Sequence, residues 1–201
     1  MKQPLGVILA GGLARRMGGG DKGELRLGGL TLLSRVIERL EPQVADLALN
    51  ANGDAARFAS YGLPVLADPL DGFPGPLAGV LAGLDWAASL GAETIVTAAA
   101  DTPFLPPDLV PRLLLAAEGM PSPLALAATT EDGTLTRHPT FGLWPVDLRH
   151  DLRVALEGGL RKIVAWTDAH GGREAVFPVV RTDPFFNVNT PEDLAEAEAL
   201  L

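Results

Sequence analysis

Short apolar runs alternate with segments of helical length through the first 120 residues, and few folds accommodate that order. Leu5–Ala10, Leu47–Asn50, Pro64–Ala67 and Thr94–Ala99 are aliphatic or β-branched and bounded by Gly, Asp or Pro, which predicts buried strands. Between and after them Leu30–Leu40, Asp54–Tyr61, Pro76–Leu90 and Pro106–Glu118 space their apolar residues as helices do. Pro76 suits a first helical position, and Gly91 and Gly119 suit the residue after a last turn. Strand–helix alternation of this kind implies an α/β fold with an open, mainly parallel sheet covered by helices on both faces.

The pattern loosens past residue 120. Leu124–Thr130 and Pro139–Trp144 are expected strands, made neighbours by a turn at Glu131-Asp132-Gly133. Asp147–Leu156 and Leu160–Ala169 are expected helices, and Val176–Val180 a further strand. Thr190-Pro191-Glu192-Asp193 sets an N-cap, a first-turn proline and early acids ahead of a helix over Leu194–Leu201. With no linker, repeat or low-complexity stretch, the 201 residues read as one domain. The strand–helix order of residues 1–119 suits a nucleotide-binding core, which residues 120–201 elaborate.

Net charge is −9 but unevenly placed. Residues 1–40 hold seven basic and three acidic side chains, a net of +4, which leaves −13 for the remainder. Such an acidic balance argues against nucleic acid, whose binding needs many phosphate contacts. A basic pocket in an acidic protein suits a small anionic ligand. The absence of cysteine excludes a disulfide scaffold, a Cys-based zinc site and a thiol nucleophile. No run of about 18 apolar residues is present to span a bilayer, and Met1-Lys2-Gln3-Pro4 does not begin a secretory leader. A cytoplasmic protein with no membrane partner is the expectation.

After the first strand comes Leu9-Ala10-Gly11-Gly12-Leu13-Ala14-Arg15-Arg16-Met17-Gly18-Gly19-Gly20-Asp21-Lys22-Gly23. Five glycines between positions 11 and 20 leave backbone amides unshielded, with cations interleaved. Bare N–H groups and Arg or Lys together suit a polyphosphate, at the strand end where open α/β sheets bind ligands. Two better-known phosphate motifs do not apply. Gly18–Gly23 formally spells G-x-G-x-x-G but starts eight residues beyond the strand and opens no clear helix. Lys22 lacks the following Ser or Thr of a Walker A loop.

At these residues the chain resembles the nucleotidyltransferases that activate molybdopterin and sugar phosphates. Leu9-Ala10-Gly11-Gly12 with Ala14-Arg15-Arg16-Met17-Gly18 is most similar to the molybdenum cofactor guanylyltransferases, the molybdopterin-guanine dinucleotide synthase family. The resemblance continues through Asn50-Ala51-Asn52, Asp68, Pro74–Gly79 and Asp101-Thr102-Pro103. It reappears at His138-Pro139-Thr140 and Asn187–Leu194, so it covers nearly the whole chain in order. It implies a Rossmann-like three-layer fold of nucleotidyltransferase type. The activity implied is transfer of GMP from GTP to molybdenum-molybdopterin, with Mg²⁺ as cofactor. Cofactor-delivery proteins or acceptor molybdoenzymes are the implied partners.

Family and chemistry then assign the candidates. Leu9, Ala10, Gly11, Lys22, Asn50, Asp68 and Asp101 are expected to bind GTP. Asp101, at the mouth of the fourth strand, is read as a hard oxygen ligand for Mg²⁺, a role compatible with its turn also capping a helix. Arg15 and Lys22 are the electrostatic catalysts, since attack of one phosphate on another joins two anions and needs no general base. A carboxylate can accept from guanine N1–H and N2–H together; which of Asn50 and Asp68 touches the base and which the ribose stays open, as does a simple turn role for both. Asn187 and Asn189 share parity on an expected short strand and fall on the acceptor side by resemblance, or else cap a loop. His138 reads as a packed polar residue, and the three histidines lack metal-site spacing. A related transferase using CTP or a sugar phosphate, and a non-catalytic GTP-binding module, are the competing readings.

Overall fold

The computed structural model describes residues 2–11, 22–70, 72, 75–180 and 182–201. Among these, seven strands form one sheet: β1 (Leu5–Leu9), β4 (Leu47–Asn50), β5 (Val65–Leu66), β6 (Thr94–Ala99), β7 (Ala125–Glu131), β8 (Thr134–Pro145) and β9 (Arg173–Pro178). Their order is β5-β4-β1-β6-β8-β7-β9, and only β8 runs against the others. A two-stranded hairpin, β2 (Arg26–Leu27) with β3 (Leu30–Thr31), stands apart from it.

Alternation along each strand sends neighbouring side chains into opposite layers. Ile8, Val96 and Leu143 face one core with Val36 and Leu40 of α1 (Leu32–Leu40) and Leu113 of α3 (Leu109–Ala116). Val7, Ile95 and Trp144 face the other, with Leu81 and Leu84 of α2 (Pro76–Ser89), Leu152 of α4 (Arg149–Glu157) and Trp166 of α5 (Ile163–Ala169). Trp144 is fully buried, and its indole N–H donates to Thr97 Oγ1 at 2.8 Å, so the ring enters the core with its polar edge satisfied. The expected three layers are present, and one sheet runs through both halves of the chain.

Several boundaries moved for identifiable reasons. Thr31 caps α1, its hydroxyl accepting from Ser34 N at 3.0 Å, so Leu30 belongs to the hairpin. Ala55–Tyr61 winds as a 3-10 helix rather than an α-helix, capped by Asp54 and closed by Gly62 at φ 67°. α3 starts three residues late because Pro107 disfavours helical backbone at Pro106. Asp132 and Gly133 take φ 49° and 77°, the mirror-type turn that matches strand twist, and close the expected hairpin. β9 begins at Arg173 because its parallel register with β7 starts from Ala125.

A small third cluster folds the carboxyl end back onto the front of the chain. Val188, ahead of α6 (Pro191–Ala199), and Ala197 within it pack with Leu27 and Leu32. Thr190 and Asp193 form the reciprocal capping box at the start of α6. Thr190→Ala is expected to cost about 1 kcal/mol, against about 2–5 kcal/mol for Leu113→Ala in the main core; urea unfolding of both variants checks the ranking.

Candidate active site

The parallel trio β4-β1-β6 ends at one edge, and its ladder continues to the lip. Ala10 N donates to Asn50 O at 2.8 Å, Ala100 N to Leu9 O at 3.2 Å and Ala51 N to Leu66 O at 3.0 Å. Above that lip lies a cavity of about 470 Å³ walled by Leu9, Ala10, Gly11, Lys22, Asn50, Asp68 and Asp101, with Asn187 and Thr140 from the second half. Every GTP-side candidate proposed from sequence therefore lines it. Arg15, with the rest of the expected loop core over 12–21, lies outside the described residues.

Lys22 opens a short 3-10 turn, Lys22–Glu24, on the far side of that loop. The turn is anchored by neighbours: Gly23 is buried where a Cβ would sit 3.2 Å from Leu33 Cβ, and Tyr61 O–H donates to Glu24 Oε1 at 2.7 Å. Burial of the Tyr61 ring raises its hydroxyl pKa above the ordinary value, Glu24 adding to the effect, so the phenol keeps its donor proton. Held in this way, Lys22 Nζ lies 3.3 Å from Asp101 Oδ2 and donates a short hydrogen bond to Asn189 Oδ1. Asp101 is thus engaged by a cation; the nearest helix, α3, starts at Leu109 with Asp108 at its cap, so Asp101 does not cap it.

Asn187 and Asn189 are not on a strand as expected; among the described residues they occupy an irregular segment. Side-chain parity still operates there. Val188 between them is fully buried and its N–H donates to Asp101 O at 2.9 Å, which turns its two neighbours the other way. Asn187 is fixed by the hydroxyl of Thr102, a wholly buried residue, and Asn189 meets Lys22.

On the opposite wall Asn50 and Asp68 form one unit. Asn50 Nδ2 donates to Leu66 O at 3.0 Å and to Asp68 Oδ1 at 2.9 Å, while Asn52 Nδ2 donates to Asp68 Oδ2 at 2.7 Å. Among the described residues neither Asn50 nor Asp68 makes the local turn contact that the sequence left as the alternative. Gly79 of α2 lies against Asn50: a Cβ there would collide with Asn50 Oδ1 and come within 2.8 Å of Leu9 Cδ2. Asn52, Thr102 and Thr140 were quoted within the sequence motifs without a role. Their positions depend on pairings between segments far apart in sequence, which no local signal reveals.

His138 is packed, as expected, stacked on Phe185 with centroids 4.5 Å apart and 2.9 Å from Thr129 Oγ1. Burial lowers its pKa below 6.5, with Asp183 opposing the shift from 4.0 Å. A depressed histidine pKa means the unfolded chain binds more protons. The stabilisation is therefore complete above about pH 6.5 and is lost as pH falls through the lower folded value. Urea titrations from about pH 7 to about pH 5 are expected to lose less stability in His138→Gln than in the unaltered protein. No group of three or more His, Cys, Asp or Glu that could enclose a metal occurs among the described residues.

Comparison with known proteins agrees with this architecture. Residues 6–172 match the MobA-like NTP transferase domain. The chain is 57% identical over 198 residues to a molybdenum cofactor guanylyltransferase of Bradyrhizobium sp., covering 97% of this chain and 92% of that one. A protein of the same name from Rhodopseudomonas palustris is 55% identical over 197 residues, covering 96% and 92%. Among solved structures, molybdopterin-guanine dinucleotide biosynthesis protein A from Archaeoglobus fulgidus superposes with a TM-score of 0.72 at 26% identity, covering 98% and 97%. The chain belongs to the MobA-like NTP transferase family and, within it, to the molybdenum cofactor guanylyltransferases.

Proposed function

We propose that this enzyme transfers GMP from GTP to the phosphate of molybdenum-molybdopterin. The products are pyrophosphate and the guanine dinucleotide form of the cofactor. One observation carries the reading: a cavity at the strand ends joins a cation beside a carboxylate, Lys22 and Asp101, to an amide-held carboxylate, Asp68, on the other wall. The relatives' shared name supports the guanine donor and the pterin acceptor. Residues up to 119 supply the nucleotide-binding half, and the half from 120 onward reaches the cavity through Thr140 and Asn187.

In the reaction an acceptor phosphate oxygen bonds to the α-phosphorus while the bond from that phosphorus to the bridging oxygen breaks. The electron pair leaves with pyrophosphate, and no protein atom is bonded in between. Lys22 offsets the charge that gathers on the phosphate oxygens, and Gly11 lines the same space; Arg15 is assigned the same duty as Lys22. Asn187 and Asn189 position the acceptor side.

The donor set fits Mg²⁺: Asp101 presents a carboxylate to the cavity and Asn189 a neutral amide oxygen next to it, both now bonded to the Lys22 ammonium. This ion keeps several waters and takes one or two carboxylates together with substrate phosphates. Bound there, Mg²⁺ would supply positive charge to the triphosphate oxygens. We place the reaction in the cytoplasm, with delivery proteins or acceptor molybdoenzymes receiving the product; no described helix is long and apolar enough to cross a membrane.

Pyrophosphate release from each of the four NTPs, with molybdenum-molybdopterin as acceptor, tests the proposal. GTP is expected to react fastest; faster turnover of CTP, or no reaction with the pterin, overturns it. Tight GTP binding without pyrophosphate release would favour the non-catalytic module. Asp101→Ala is expected to abolish Mg²⁺-dependent turnover with an unaltered unfolding midpoint. Lys22→Ala is expected to lower kcat/KM by about 10²–10³-fold. Activity near that of the unaltered enzyme in either variant removes that residue from its role.

A further inference from the structure

The wall opposite Lys22 assigns its parts unequally. Asn50 is only 5% exposed, and both hydrogens of its amide are engaged, one by Leu66 O at 3.0 Å and one by Asp68 Oδ1 at 2.9 Å. Those two partners are acceptors, so the amide cannot be turned over without setting oxygen against oxygen. The remaining Oδ1 is wedged against Gly79. Asn50 therefore has no donor left to offer a ligand.

Asn52, by contrast, is exposed and grips a single residue at two points. Its Nδ2 donates to Asp68 Oδ2 at 2.7 Å, and its Oδ1 accepts from Asp68 N at 2.9 Å. That pairing of donor with acceptor and acceptor with donor fixes its orientation as well. The loop behind it is tied by Arg57, whose Nη2 donates to Asn52 O at 2.8 Å and Nη1 to Asp54 O at 3.0 Å. Each Asp68 oxygen thus receives one amide hydrogen, which sets the carboxylate plane and leaves a lone pair on each oxygen for the cavity.

We infer that Asn52 is the positioning residue for nucleoside recognition: it fixes the Asp68 carboxylate so that both oxygens face the paired N1–H and N2–H donors of a guanine base. The inference rests on the proposed use of GTP. It gives direct contact to Asp68 and leaves Asn50 as a buried support. Two parallel hydrogen bonds demand a fixed plane, and a carboxylate free to rotate about its Cβ–Cγ bond holds only one of them well.

The test is calorimetric binding of GTP, of inosine triphosphate, which lacks the 2-amino donor, and of 2′-deoxy-GTP, to the unaltered protein, Asn52→Ala and Asn52→Asp. A site built around a donor rejects a ligand that lacks it, so the unaltered protein is expected to prefer GTP over inosine triphosphate. In Asn52→Ala GTP affinity is expected to fall about tenfold and the preference over inosine triphosphate to shrink by a similar factor. Asn52→Asp, which sets like charges together, is expected to lose more. In turnover the loss should appear in KM for GTP, with kcat within about twofold.

A ratio of affinities within one variant is independent of the folded fraction, so a purely structural lesion leaves it unchanged. An unaltered GTP-to-inosine ratio in Asn52→Ala overturns the inference. Collapse of the GTP-to-2′-deoxy-GTP ratio instead also overturns it, by placing Asp68 at the ribose. Failure of the unaltered protein to prefer GTP among the four NTPs would sink the underlying reading rather than the role of Asn52.

Discussion

The parallel pairing of β1 with β4 on one side and β6 on the other is the constraint from which the cavity follows. Parallel strands deliver all their carboxyl ends to one edge, so residues about 40 and 90 positions beyond Leu9 arrive beside it. The close approach of α2 depends on the same strands. Gly83 lies where a Cβ would meet Val7 Cγ2 at 2.7 Å and Ile95 Cδ1 at 2.8 Å, and Gly79 performs the same service over Asn50 and Leu9. A larger residue at either position would lift the helix and lower the wall that Asn50 supports.

The two carboxylates of the cavity are stabilised by different means. Asp101 faces a lysine whose side chain is only 20% exposed, an ion pair at the mouth of a strand that leaves little net charge where the phosphates are proposed to lie. Asp68 is held by two neutral amides, which satisfy its oxygens without cancelling its charge. One end of the pocket can thus exchange a cation between protein and ligand, while the other keeps a negative field suited to neutral N–H donors. The uneven charge of the sequence acquires a location here, since the cationic excess of the first 40 residues includes Lys22.

Much of the fold was legible because strand and helix periods are local properties. The βαβ order, the Glu131–Gly133 turn and the α6 cap were each written in a few adjacent residues whose backbone preferences agree. Errors occurred where tertiary contacts overrode such preferences. The missing strand at Asn187–Asn189 is such a case, since Val188 gives its N–H to the Asp101 carbonyl in place of a ladder, whereas the 3-10 winding of Ala55–Tyr61 lies between local caps at Asp54 and Gly62. The site was legible as a set of motifs, not as an arrangement. Asn52, Thr102 and Thr140 gained meaning only through Asp68, Asn187 and the cavity wall, which lie between 16 and 85 residues away along the chain where a bond is made.

By itself the sequence determined the layer architecture and the family. A glycine-rich loop after a first strand, followed by ordered polar signatures at later strand ends, is a local pattern that hydrophobic periodicity places on one sheet edge. Tertiary structure alone decided how those signatures divide the work: that Asn50 has no free donor, that Asn52 grips Asp68 at two points, and that Lys22 lies against Asp101 and Asn189. The physical reason is that hydrogen-bond capacity is a property of filled and unfilled valences in space. Which valences are filled depends on chain segments that meet only after the core has closed.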